Sequence, residues 1–300
     1  MTSIDIARTR VRNQRIGEAR LRSAHDVVDW LVAVQAQDFA GAKWSLGLRM
    51  RRGTEGDVER AFAEGSILRT HVMRPTWHFV TPSDIRWMLT LTAPRVRAAS
   101  TSMLRRLELD NAVTKKCRAL LAKALREGER TRDELRDALE RGGIETSDGV
   151  RLAYILMSAE LDGLICSGVR RGKQFTYALL DQRAPRPRIL SRRESLVELA
   201  SRYFSSRGPA TVHDFAKWSG LTVAEASRGL WEIESQFESD TRNGRTYWFS
   251  TELGSSRQTS PTAHLVSVYD EYLSSYRDRG AMDDSNSGAA LALWGPLCDT

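Results

Sequence analysis

Apolar residues recur at helical spacing along most of this 300-residue chain. Val27, Val28, Leu31 and Val34 share one face of a first long helix, and Cys117, Leu120, Leu121, Ala124 and Leu125 a face of a second. Leu152, Ile155, Leu156 and Ala159 mark a third, and Leu196, Leu199, Ala200, Tyr203 and Phe204 a fourth. The starts of the helices are legible too. A Ser or Thr followed three residues later by Asp or Glu satisfies two backbone N–H groups that a helix start leaves orphaned. Ser23…Asp26, Thr54…Asp57, Thr81…Asp84, Thr131…Glu134, Ser191…Glu194, Thr211…Asp214 and Thr222…Glu225 have this spacing. Pro82 after Thr81 also suits a first helical position.

Short strands follow the helix groups. Leu164–Val169, the basic turn Arg170-Arg171-Gly172-Lys173 and Phe175–Leu179 read as a β-hairpin. Gln236–Asp240, then Arg242-Asn243-Gly244, then Thr246–Phe249 read as another, because Asn-Gly accepts the positive φ angles of a tight hairpin turn. Ile67–Thr70 and Thr76–Val80 flank Met73-Arg74-Pro75 in a third, looser pair.

These pieces repeat. Residues 114–180 give helix, capped helix, helix and hairpin, and residues 192–250 give the same order. From the capping Thr to the hairpin Gly the spacing is 41 residues in the first copy and 33 in the second. Residues 23–80 read as a third copy, lengthened by a Gly-rich stretch around Gly41–Gly56. Three short helices closed by a two-stranded hairpin make a winged helix. The expected fold is therefore mainly α with small β-hairpins (α+β), as tandem winged helix-turn-helix units. Unit 1 spans 1–110, unit 2 spans 111–187, unit 3 spans 188–254, and 255–300 form a C-terminal region.

Charge points to a partner. The net charge is +7 and the isoelectric point about 9.6. Residues 270–300 hold six acids against two Arg, which leaves +11 on the rest. Arg far outnumbers Lys, and a guanidinium suits bidentate phosphate contacts. Arg170, Arg171 and Lys173 crowd one hairpin tip, Arg242 and Arg245 flank another, and Arg74 stands in the first. Double-stranded DNA is the expected partner. Solvated hairpin tips, or a genome that writes Arg freely, would give the same residues. The third helix of the middle unit, Val150–Leu161, is too apolar to read bases along its length, which argues for backbone and shape contacts there.

Other classes drop out. No apolar run approaches the ~18 residues of a membrane span, and the Arg-rich start has no apolar block after it. A cytoplasmic, monomeric protein is expected. Cys117, Cys166 and Cys298 are scattered, and the five His show no ligand spacing, so no metal and no cofactor is expected. No Ser-His-Asp set, Walker loop or G-x-G-x-x-G occurs. One segment stands out: Leu31-Val32-Ala33-Val34-Gln35-Ala36-Gln37-Asp38 places two amides and an acid directly after an apolar helix. A solvated helix end would look the same.

Val34-Gln35-Ala36-Gln37 followed by Trp44-Ser45-Leu46-Gly47-Leu48-Arg49 resembles the Gln-x-Gln region of the AlkZ-like DNA glycosylases. Val72–Val80 is similar to that family's first hairpin, and Tyr269-Asp270-Glu271-Tyr272-Leu273…Tyr276-Arg277-Asp278-Arg279 resembles its late segment. The order of the three agrees, from about residue 8 to about 282. The resemblance implies tandem winged helices around a DNA channel and monofunctional hydrolysis of the N-glycosidic bond of alkylated purines. In some members it implies the unhooking of interstrand crosslinks. It also implies that Gln35 and Gln37 are the catalytic amides. Pro75 stands where the family usually has Gly, and Trp77 where it has Leu. After Met282 the likeness fades, so a C-terminal β-rich domain is expected to be truncated and 283–300 to be poorly packed. The rival readings are a non-catalytic winged-helix regulator, which would prefer one operator sequence, and an interaction protein, which would show no salt-dependent DNA binding.

Overall fold

The computed structural model describes residues 6–17, 20–186, 188–250 and 263–277. Asp278, Arg279 and the tail from Met282 onward lie outside them. Described residues up to Val58 and from Arg193 onward form one compact unit, and Glu59–Arg192 form another. The architecture is mainly helical with small antiparallel strands, as the periodicity predicts.

The first unit opens with α1 (Ile6–Asn13), α2 (Ala24–Leu31), β1 (Ala33–Gln35) and α3 (Phe39–Arg49). Ser23 caps α2 by accepting the Asp26 N–H at 3.1 Å, and Val27, Val28 and Leu31 are fully buried. Thr54 and Asp57 exchange hydrogen bonds at the start of α4 (Glu55–Glu64).

The second unit carries the antiparallel pair β2 (Leu68–Val72) and β3 (Arg74–Val80), registered from Leu68↔Val80 to His71↔Trp77. The chain reverses at Met73, a buried residue at φ 63° whose N–H is taken by Thr92 Oγ1 at 3.1 Å. The cap predicted at Thr81 does not form. Residues 81–84 make a turn, and α5 (Ile85–Arg106) begins beyond it. The Asp84 carboxylate accepts the Trp87 indole N–H at 2.9 Å instead, and Thr81 Oγ1 bonds Ser83. There follow α6 (Asn111–Leu125), β4 (Arg130–Thr131), α7 (Arg132–Arg141), α8 (Gly149–Leu161), β5 (Ile165–Ser167), β6 (Thr176–Leu179) and α9 (Leu180–Arg183). The three strands form a sheet in the order β4-β6-β5. Thr131 and Glu134 close a reciprocal capping box on α7. Leu121, Leu125, Leu135, Leu139, Leu152 and Ile155 fill the core beneath, each fully buried or nearly so. A buried Leu of this kind contributes about 1.5–3 kcal/mol over an exposed one.

The first unit resumes with α10 (Arg192–Arg207), α11 (Val212–Ser219), α12 (Val223–Trp231), the hairpin β7 (Glu238–Arg242) and β8 (Arg245–Phe249), and the short α13 (Glu271–Ser274). Capping boxes at Thr211 and Thr222 start α11 and α12 as predicted. Asn243 and Gly244, at φ 50° and 73°, make the tight turn that their sequence announces. The predicted face of α10 is the core: Tyr203 meets Phe215 and Trp218 with ring centroids 5.0 Å apart, and Phe204 meets Phe215 at 5.6 Å. The hairpin is tied to the start of α11 because Ala210 and Trp248 exchange backbone hydrogen bonds at 3.0 and 2.9 Å. Gly208 makes that approach possible, since a Cβ there would lie 2.8 Å from the Trp248 carbonyl oxygen. No helix among the described residues is long and apolar enough to cross a membrane.

Candidate functional site

The two amides do not follow a helix directly, as the periodicity through Val34 suggests. Helix α2 stops at Leu31, and Val32 takes φ 65° and ψ −49°, a conformation that a β-branched residue resists. Ala33–Gln35 then run extended. Strain of about 1–3 kcal/mol at such a residue persists only where neighbours fix it. Here the neighbour is Arg207, which donates Nη1–H to the Leu31 carbonyl at 2.8 Å and Nη2–H to that of Ala33 at 3.0 Å. The guanidinium thus bridges the turn.

Arg207 is in turn held by Glu271. Its Nη2 lies 2.8 Å from Glu271 Oε2, and neither side chain is exposed. The same oxygen accepts from Trp218 Nε1 at 2.9 Å and Ser275 Oγ at 2.8 Å. Glu271 Oε1 accepts the Gln35 backbone N–H at 2.9 Å. Beside this pair, Arg49 and Asp270 form a fork of two 2.8 Å bonds, both fully buried. Burial pulls the Arg49 pKa down, but Asp270 more than offsets it, with Glu271 adding to the effect, and the net direction is upward. Arg49 also donates Nε–H to the Gln14 carbonyl at 2.9 Å and Nη2–H to Gln14 Oε1 at 2.8 Å. The late Asp-Glu-Tyr-Leu segment is therefore a clamp on the strand that carries Gln35.

Gln35 is half-buried, and its Oε1 is buried with no hydrogen-bond partner among the described residues. Gln37 is exposed and immediately precedes Asp38, which caps α3 through the Ala40 N–H at 3.1 Å. The carboxylate nearest the Gln35 backbone is saturated by Arg207, Trp218, Ser275 and Gln35 itself. Glu271 is thus committed to holding the strand. Among the described residues, no three His, Cys, Asp or Glu side chains converge to hold a metal ion.

The basic residues predicted for DNA contact divide between the units. Arg242 and Arg245 lie in the first, where Arg242 bonds Asp240 at 2.9 Å and Arg245 is exposed beside the Asn243-Gly244 turn. In the second, Arg170 bonds Glu59 Oε1 at 2.8 Å, Arg171 bonds Glu134 Oε1 at 2.8 Å, and Lys173 is exposed at the turn. Arg74 is half-buried with Nη2 3.3 Å from His78 Nε2. Sequence reasoning missed a buried cluster behind this hairpin. The Arg69 guanidinium sits between the rings of Trp77 and Phe175, 4.3 and 4.6 Å from their centroids, and burial brings its pKa down to about 10 against the pull of Glu160. Trp77 Nε1 donates to Glu160 Oε1 at 3.3 Å, and His71 Nδ1 bonds Oε2. Trp77 is thus built into its surroundings by a cation and a carboxylate.

Three comparisons bear on this arrangement. Residues 28–286 match the family model described as DNA glycosylase AlkZ-like. An interstrand DNA cross-link repair glycosylase of Streptomyces sahachiroi is 27% identical over 218 residues, which cover 71% of this chain and 59% of that protein. The solved structure of the Streptomyces sahachiroi DNA glycosylase AlkZ shares the fold, with a TM-score of 0.70 at 24% identity over 83% of this chain and 69% of that one. The chain thus spans 59% of the length of the curated relative it matches.

Proposed function

Because this chain belongs to the AlkZ-like DNA glycosylase family, we propose that it is a monofunctional DNA glycosylase that releases alkylated purines from duplex DNA. An interstrand crosslink, the lesion in the relative's name, is a substrate of the same chemistry. A purine alkylated at N7 or N3 is already cationic and leaves without strong acid catalysis. The glycosidic electron pair passes to the purine and cancels its charge. Water adds to the sugar carbon and loses a proton to solvent. The protein must position that water and stabilise an oxocarbenium-like sugar.

The observation that carries this reading is Gln35. Its backbone is clamped by Glu271, and its Oε1 is a buried acceptor to which none of the described residues donates. Such a group is costly unless something fills it. A water hydrogen, or the positive charge developing on the sugar, would fill it. Gln37, two residues on, is the second amide for the same water. We read 1–110 as the winged-helix unit with the Gln-x-Gln motif, 111–187 and 188–254 as two further units, and 255–300 as the C-terminal region. Arg74, Arg170, Arg171, Lys173, Arg242 and Arg245 are read as phosphate contacts of a monomer acting in the cytoplasm.

Single-turnover base release from a 7-methylguanine duplex tests the reading, with the parent beside a Q35A/Q37A double variant. Release by the parent and its loss in the variant are expected. A parent that binds duplex at one preferred sequence and releases nothing would overturn it in favour of a regulator.

A further inference from the structure

Helices α11 and α12 and the β7–β8 hairpin enclose a cleft of about 760 Å³ in the first unit, lined by neither Gln35 nor Gln37. Its lining combines cations with aromatic faces: Arg10, Arg245 and Arg277 beside Trp231, Tyr247 and Trp248. Trp231 is 71% exposed, a large apolar surface to leave in water.

Arg10 is the odd member. It is fully buried, donates Nε–H to the Pro209 carbonyl at 2.9 Å and lies 3.6 Å from the centre of the Tyr276 ring. Its Nη1 has no hydrogen-bond partner among the described residues. A buried guanidinium with a missing acceptor is costly, and an anion in the cleft it lines would supply one. Asp214 does not do so. Its nearest oxygen is 3.9 Å from Arg10 Nη2, and its carboxylate already accepts Thr211 N–H and O–H at 2.9 Å and the Arg277 N–H at 2.7 Å. Glu234 also lines the cleft and leaves the cations in excess. Val212 and His213 line it as well, from the first turn of α11, where a helix favours negative charge. The walls are preorganised, because the Ala210–Trp248 backbone bonds fix the hairpin to α11.

We propose that this cleft is a nucleotide subsite for an unpaired stretch of a DNA strand, with a phosphodiester on Arg10, Arg245 and Arg277 and its base stacked on Trp231. A paired base hides its face, so an exposed indole beside a cationic groove selects unpaired nucleotides and not a particular sequence. The subsite shares with the glycosylase reading only its ligand class, DNA, and undamaged strands test it without base release.

The full chain would be titrated with an undamaged oligothymidylate of about 12 nucleotides and, separately, with thymidine monophosphate, for the parent and for W231A, R245Q and R277Q. Trp231, Arg245 and Arg277 are exposed, so the variants should melt with the parent. The expected result is strand binding that weakens about tenfold in W231A and a salt slope that falls by about 0.7 in R245Q and in R277Q. A parent that does not bind the strand, or a W231A that binds it as tightly as the parent, would overturn the subsite. Monophosphate bound as tightly as the strand, and lost in W231A, would assign the cleft to free nucleotides and overturn the DNA strand as its occupant.

Discussion

Glu271 accepts the backbone N–H of Gln35 at 2.9 Å across 236 positions of sequence, while its other oxygen neutralises the buried Arg207. One carboxylate therefore both sets the strand of the candidate catalytic amide and balances the cation that spans the turn before it. Glu271→Gln keeps the shape but leaves the Arg207 charge uncompensated. Breaking a buried pair in this way costs about 3–5 kcal/mol. Urea unfolding of the variant should show a loss of that size, and a loss under about 1 kcal/mol would mean that the pair behaves like a surface contact.

The capping box at Thr131 gives a pH-dependent signature. The Thr131 N–H, and after it Arg171, holds the Glu134 carboxyl below its ordinary value. A carboxyl with a depressed folded-state pKa stabilises the protein above its unfolded pKa, and this contribution is lost as pH falls through the folded value. Stability of Glu134→Gln should therefore fall less steeply than that of the parent below about pH 4.3, and the two acid-unfolding curves should converge at the acid end. Parallel curves over the whole range would count against the cap as a stabilising contact.

Thr131, Thr211 and Thr222 were readable because a capping box is closed within four residues. The Asn243-Gly244 turn was readable because it depends on its own φ angles. The cap at Thr81 misled because Asp84 had a better donor in Trp87, one turn further on. The helix through Val34 misled because Arg207, remote in sequence, captures the Leu31 and Ala33 carbonyls and ends it. The Arg49–Asp270 fork joins residues 221 positions apart, and no local spacing announces it. Gln35 and the Asp270-Glu271 pair were each singled out as motifs. That one holds the other is a fact of packing.

Both described cysteines are buried, and burial pushes the thiol pKa up, to about 12 for Cys166. The thiolate is the reactive form. In a Cys298→Ser background the native protein should resist an aromatic disulfide reagent, and both thiols should react once it is unfolded in denaturant. Rapid native labelling would show that one of the two sites opens without global unfolding.

DNA binding should weaken steeply with salt, with a log–log slope of about −0.9 per phosphate neutralised. Lys173 is exposed at its turn, whereas Arg170 and Arg171 are bonded to Glu59 and Glu134. Lys173→Ala should lower the slope by about 1. Arg171→Ala should lower it less, since Arg171 must exchange an intramolecular carboxylate for a phosphate. Equal effects would show that the Arg171 pair opens without cost, and a flat salt response in the parent would remove DNA as the partner.

The amides make the sharpest prediction. If Gln35 and Gln37 hold one water and face one developing cation, each acts mainly in the transition state, so its removal lowers the rate and spares affinity. One lost preorganised group costs about 2.7–4 kcal/mol, roughly 10²–10³ in rate. Gln35→Ala also removes the buried Oε1, which accepts no hydrogen bond among the described residues, so its melting temperature should not fall. This separates a catalytic loss from a structural one, which would lower melting temperature, affinity and rate together. The Glu271 bond is to the Gln35 backbone, and the side-chain change leaves it in place. Single-turnover release, a binding titration and a melting curve on the same preparations decide the matter. The expected pattern is slow release with parental affinity and melting in each single variant, and a double variant little slower than the worse single, because both losses fall on the same water. Undiminished release in Gln35→Ala and Gln37→Ala, from an active parent, would refute the assignment.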